Sequence, residues 1–80
     1  MAHFSAMNVF GSNIQKCLDS IGWTKQKLSD VTGIDRANLS RIIAGKGNCT
    51  LASAEVIAKA LEVPLSELLS TKFEIRQLVA

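Results

Sequence analysis

The sequence predicts an all-α fold of five short helices. Three observations carry this reading. Apolar residues recur at helical spacing through most of the chain. A side chain suited to cap a helix precedes most of these runs. Glycine or proline punctuates the breaks between them. Eighty residues allow a single domain. A domain of this size buries roughly 60% of the surface its unfolded chain exposes. Apolar residues make up 48% of the sequence and charged residues 20%, a globular composition. Phe4, Phe10, Trp23 and Phe73 are the four aromatics, so the core is expected to consist of Leu, Ile, Val and Ala.

In chain order, residues 1–8 are expected to form a flexible N-terminus and residues 9–69 the folded domain. Phe10, Ile14, Cys17, Leu18 and Ile21 predict a first amphipathic helix over 9–21, ended by Gly22. Asn8 or Ser12 could cap it, and Ser12 with Gln15 fits a capping box. Thr24 is a good cap for a second helix to residue 32, with Leu28 and Val31 on its apolar edge. Gly33 follows, where the turn requires a left-handed residue. Asp35 caps a third helix over 36–44, with Leu39, Ile42 and Ile43 inward and Gly45 closing it. Thr50 caps a fourth helix to residue 62, buried through Leu51, Ala54, Ile57, Ala58 and Leu61. Pro64 breaks the chain and suits the start of a fifth helix ending near residue 69.

Residues 70–80 form a tail of uncertain structure. Thr71 with Glu74 fits a capping box, whereas Phe73-Glu74-Ile75-Arg76 alternates as a strand would. The tail is expected as a dimerisation element or as the start of a linker.

Composition removes several function classes. No apolar run approaches the ~20 residues needed to span a bilayer. The N-terminus lacks a basic start followed by a continuous apolar stretch, so no secretory signal is read there. Cys17 and Cys49 are too few for a disulfide scaffold and are expected as reduced thiols in a cytoplasmic protein. One histidine, His3, supports neither a histidine-based catalytic centre nor a zinc site of ordinary spacing. These counts argue against an enzyme and imply no metal or cofactor. The net charge of +2 is small, but its distribution is not even. Lys25, Lys27, Arg36, Arg41 and Lys46 face only Asp30 and Asp35 in the middle of the chain. A local basic excess of this kind suits a polyanion.

Residues 24–46 read as two short helices joined by a tight glycine-containing turn, which is a helix-turn-helix. Gly22, Thr24, Leu28, Gly33-Ile34, Leu39-Ser40-Arg41-Ile42, Gly45-Lys46 and the run Ile57-Ala58-Lys59-Ala60-Leu61-Glu62-Val63 occur in order and at the right spacing. Over residues 9–69 the chain thereby resembles the phage repressor and Cro type of helix-turn-helix, the XRE family. The resemblance implies a compact lambda-repressor-like domain that binds double-stranded DNA, usually as a dimer, with its third helix in the major groove. The residues agree with it. With Leu39, Ile42 and Ile43 inward, the opposite face of the third helix carries Ala37, Ser40, Arg41 and Ala44, flanked by Arg36.

Arg36, Ala37, Ser40 and Arg41 are therefore the candidate base contacts. Arginine can donate two bonds to guanine, and Ala37 can touch a thymine methyl. Lys25, Lys27, Asn38, Lys46 and Asn48 are the candidate phosphate contacts; Lys25 and Lys46 match contact positions of the family. Lys27 stands where the family often places an acid, so two lysines crowd the positive end of a helix dipole. That local cost is expected where a site must meet an anion.

Other departures concern packing. Leu18 and Ile43 replace a pair that is often Arg and Glu in the family, and an apolar pair avoids the cost of a buried ion pair. Ser29 takes the usual small position of the second helix. Trp23 matches a buried aliphatic position, and Cys49 stands where proline is common.

The leading expectation is a transcription regulator, a phage or prophage type repressor on a palindromic operator. An autorepressing antitoxin, with a toxin as partner, stays open. So does a protein-interaction module that has kept the fold without binding DNA, and so does a second domain beyond these residues. Pairing as a homodimer is expected through Leu65, Leu68, Leu69, Phe73 and Ile75, because the middle of the chain faces DNA. These supply more apolar surface than so small a core can hide.

Overall fold

The computed structural model describes residues 6–71. All regular structure among them is helical: α1 (Ala6–Ile21), α2 (Lys25–Thr32), α3 (Arg36–Ile43), α4 (Leu51–Leu61) and α5 (Leu65–Leu68). α1 packs against α3 and α5, α2 against α3 and α4, and α4 against α5. No helix among the described residues is long and apolar enough to cross a membrane.

The core is mostly aliphatic, as expected, with Phe10 and Cys17 added. α1 contributes Phe10, Ile14, Cys17 and Leu18, and α4 contributes Ala54, Ile57, Ala58 and Leu61. Leu28, Leu39, Ile42, Val63 and Leu68 complete it, with Trp23, Ile34, Ile43 and Leu65 packed around its edge. Leu18 is buried, and Ile43 is only half-buried at the edge of the core. Burial pushes the Cys17 thiol from its ordinary 9.0 up to about 11, so this cysteine is an inert packing group.

α1 starts at Ala6, three residues before the expected position, and places both expected caps, Asn8 and Ser12, inside the helix. The extra turn is held by tertiary packing. A Cβ built on Gly11 would overlap the Ile43 carbonyl oxygen and stand 2.6 Å from that of Ile42. Only glycine lets α1 approach the end of α3 this closely. One turn earlier, the Asn8 side chain lies directly against Gly45, which sits at φ 76°. Gln15 joins no capping box; its amide donates to Asp19 at 2.9 Å.

α4 begins after Thr50, whose hydroxyl accepts from the Ser53 amide at 3.1 Å. Leu51 departs from expectation. It was placed in the core by spacing, yet it is 69% exposed. It is the first residue of α4, where no preceding turn covers it, and it borders a shallow apolar groove with Met7, Phe10, Leu65 and Leu69. α4 ends with Glu62 in the left-handed conformation at φ 57°, its amide donating to the carbonyls of Ala58 and Lys59.

Candidate nucleic-acid interface

α2 and α3 present the central basic segment on short helices whose ends are set by side chains. Thr24 Oγ1 accepts from the Lys27 amide at 3.1 Å and starts α2. Gly33, at φ 78°, stops it, its amide donating to Ser29 O at 2.8 Å. The turn that follows is closed by hydrogen bonds. Ser29 Oγ donates to Ile34 O at 2.6 Å. Thr32 Oγ1 donates to Leu28 O at 2.8 Å and accepts from Ile34 N at 3.2 Å. Asp35 then caps α3, its carboxylate accepting from the amides of Ala37 and Asn38 at 3.0 and 3.4 Å. This network fixes the angle between the two helices, and each donor or acceptor in it is short and local.

Fixing α3 fixes its outward face. Leu39 and Ile42 point into the core. Arg36, Ala37, Asn38 and Arg41 are exposed, and Ser40 is half-buried beside them. Lys46 and Asn48 are exposed in the loop beyond α3, which leaves through a Lys46 amide bond to Arg41 O at 2.9 Å. At the other end of the motif Lys25 is half-buried and Lys27 exposed in the first turn of α2. The Lys27 ammonium lies 5.6 Å from the centroid of the Trp23 ring, a cation–π distance. The Arg36, Arg41, Lys25 and Lys46 side chains hold no hydrogen bond or ion pair to the described residues. Of the two acids in the segment, Asp35 is occupied as a cap and Asp30 accepts from Gln26 at 2.9 Å. The candidate base and phosphate residues thus stand together along one motif, with their cations available.

The candidate pairing residues divide. Leu68 is 0% exposed and belongs to the core of its own domain, so it leaves the interface set. In a helix of one turn it faces α1 and α4, and its neighbour faces out. Leu69 is 44% exposed and Leu65 is half-buried, both on the apolar groove. Phe73 and Ile75 lie outside the described residues. Spacing alone misses Leu51, which lines this surface, and Asn13, which is buried behind it. Leu51 was assigned to the core, and Asn13 was not singled out at all. Asn13 is 3% exposed, and its amide donates to Leu68 O at 2.8 Å and Ser70 O at 2.9 Å. Its polar type in an otherwise apolar stripe of α1 was the one available signal.

Two eight-residue helices, joined through Gly33, Ile34 and Asp35 and backed by three others, define a helix-turn-helix domain. Comparison with known proteins gives the same class. A helix-turn-helix family model matches residues 14–68, and the chain belongs to that family, the XRE-type helix-turn-helix proteins. Among solved structures, it is similar to the hypothetical transcription factor NHTF from Neisseria. That match has 27% identity and a TM-score of 0.81, over 92% of this chain and 85% of that one. It is also similar to the restriction-modification controller protein C.Esp1396I, solved as a tetramer with its natural 35 base-pair operator. There the identity is 26% and the TM-score 0.74, over 98% of this chain and 100% of that one. The controller protein C.AhdI from Aeromonas hydrophila shares the fold, with 23% identity and a TM-score of 0.75, over 81% of this chain and 98% of that one. No curated protein matches the chain.

Proposed function

We propose that this chain is a sequence-specific transcription regulator that binds double-stranded DNA as a homodimer, with α3 in the major groove. The outward face of α3 carries the proposal. Ala37 and Ser40 are small enough for the helix to sit deep, and Arg36 and Arg41 flank them with guanidinium groups free to read guanine edges. Lys25, Lys27, Lys46, Asn38 and Asn48 then meet phosphates on either side, positioning the helix without reading sequence. The positive end of the α2 dipole adds to the pull of its lysines.

One motif reads only a few base pairs, so a two-fold pair on a palindromic operator supplies the rest, with half-site centres ~34–36 Å apart. Leu51, Leu65 and Leu69 form the apolar surface for that pairing. Repression of a phage or prophage promoter is one setting. A second is control of a restriction-modification system, favoured by the likeness over nearly the whole chain to C.Esp1396I, a protein with that role.

Selection of bound duplexes from a random pool tests the proposal. The expected outcome is a palindrome, bound with a log-affinity that falls by roughly 0.9 per neutralised phosphate for each tenfold rise in salt. Lys25→Ala is expected to flatten that dependence and leave the selected sequence unchanged. A pool that shows no enrichment would sink the reading and leave the fold as an interaction module.

A further inference from the structure

We infer that Asn13 is a positioning residue for pairing, acting through Leu69; the inference rests on the homodimer reading above. Its amide donates to Leu68 O at 2.8 Å and to Ser70 O at 2.9 Å. These two acceptors lie on either side of Leu69, so one buried side chain from α1 brackets that residue's backbone. Leu69 needs such a bracket. It follows α5, a helix of four residues whose last turn is tied by the Leu69 amide to Leu65 O at 3.2 Å and the Ser70 amide to Glu67 O at 3.1 Å, and so short a helix is marginal without tertiary support. Its side chain is 44% exposed on the groove that also takes Met7, Leu51 and Leu65.

The rest of α5 is anchored differently. Leu68 is fully buried and ties the helix to the core by its own packing. Asn13 therefore adds little to whether α5 docks and much to where Leu69 points. A buried amide with both protons committed to fixed carbonyls is a directional device, whereas an apolar residue at the same place would only fill volume.

The experiment is a double-mutant cycle on the full chain, read by sedimentation equilibrium and by affinity for a full palindrome and for a single half-site. Asn13→Leu keeps the bulk and removes both donors. It is expected to weaken dimerisation about tenfold, the scale of a lost buried hydrogen bond. Half-site affinity and helix content should stay at the wild-type level. Leu69→Ala is expected to weaken dimerisation too, and Asn13→Leu should then cost little more in that background, because it acts through the same residue. Asn13→Gln, which keeps the donors, is expected to recover part of the loss.

Losses that simply add would overturn the role. So would unchanged dimerisation of Asn13→Leu, or an equal fall in half-site and palindrome affinity, which marks general damage to the domain. A wild-type chain that binds its operator as a monomer would overturn the homodimer reading itself, whatever the variants do.

Discussion

α1 and α4 supply eight core side chains, Phe10, Ile14, Cys17, Leu18, Ala54, Ile57, Ala58 and Leu61, while α2 and α3 together supply three, Leu28, Leu39 and Ile42. The long helices are held by packing. The short pair is held by polar side chains at its ends: Thr24, Ser29, Thr32 and Asp35. The difference follows from what each side must present. A helix that offers most of its surface to a partner has little left to bury, so its position has to be set by caps and by the turn. The side that faces inward can spend its residues on burial, and α4 adds the Thr50 cap at its start.

Truncation of Leu28 should break this contrast most severely. It is the one buried residue of α2, so Leu28→Ala is expected to lower stability by ~2–5 kcal/mol in denaturant melts. Loss of α2 amide protection ahead of α4 would identify the short pair as the weaker unit.

Gly11→Ala comes next, at about 1–3 kcal/mol, because its Cβ has a backbone carbonyl and not a flexible side chain in its way. If α3 moves to make room, DNA affinity should fall by more than stability explains.

Asp35→Ala removes the α3 cap and is expected to cost ~0.5–2 kcal/mol, seen as a lower thermal midpoint. Asp35→Asn should recover much of it. A variant as stable as wild type would mean that packing of Leu39 and Ile42 alone sets the start of α3.

Arg41→Ala should leave stability within about 0.5 kcal/mol, as for an ordinary exposed residue. Competition with variant duplexes is expected to show ~1–3 kcal/mol lost on the cognate site, with preference relaxed at one base pair per half-site. A uniform loss over all duplexes would make it a phosphate contact.

The same contrast decides what could be read from the sequence. The starts of α2, α3 and α4 were legible, because Thr24, Asp35 and Thr50 define them through bonds to amides two or three residues on. Gly33 and Gly45 were legible as stops for the same local reason. The start of α1 was not, since Gly11 and Asn8 hold it against Ile42, Ile43 and Gly45, more than thirty positions away. Spacing also could not separate Leu68 from Leu69, adjacent leucines on a single turn, or recognise that Leu51 leads its helix and stands uncovered. The basic face of α3 was legible as a face, because Leu39 and Ile42 point it outward. The bracket of Asn13 around Leu69 spans fifty-five residues and more, and no local pattern announces it.

The stacked pair at the start of α2 also has an optical consequence. Trp23 is the one tryptophan of the chain, and tyrosine is absent, so near-ultraviolet emission comes from a single known place. That ring carries the Lys27 ammonium 5.6 Å from its centre. An anion that draws the ammonium away removes a full positive charge from the indole face, and the excited state of indole responds strongly to nearby charge. The domain therefore contains its own fluorophore at the edge of the basic surface. Occupancy of that edge can be followed by intrinsic emission in the unlabelled protein, on the timescale of mixing.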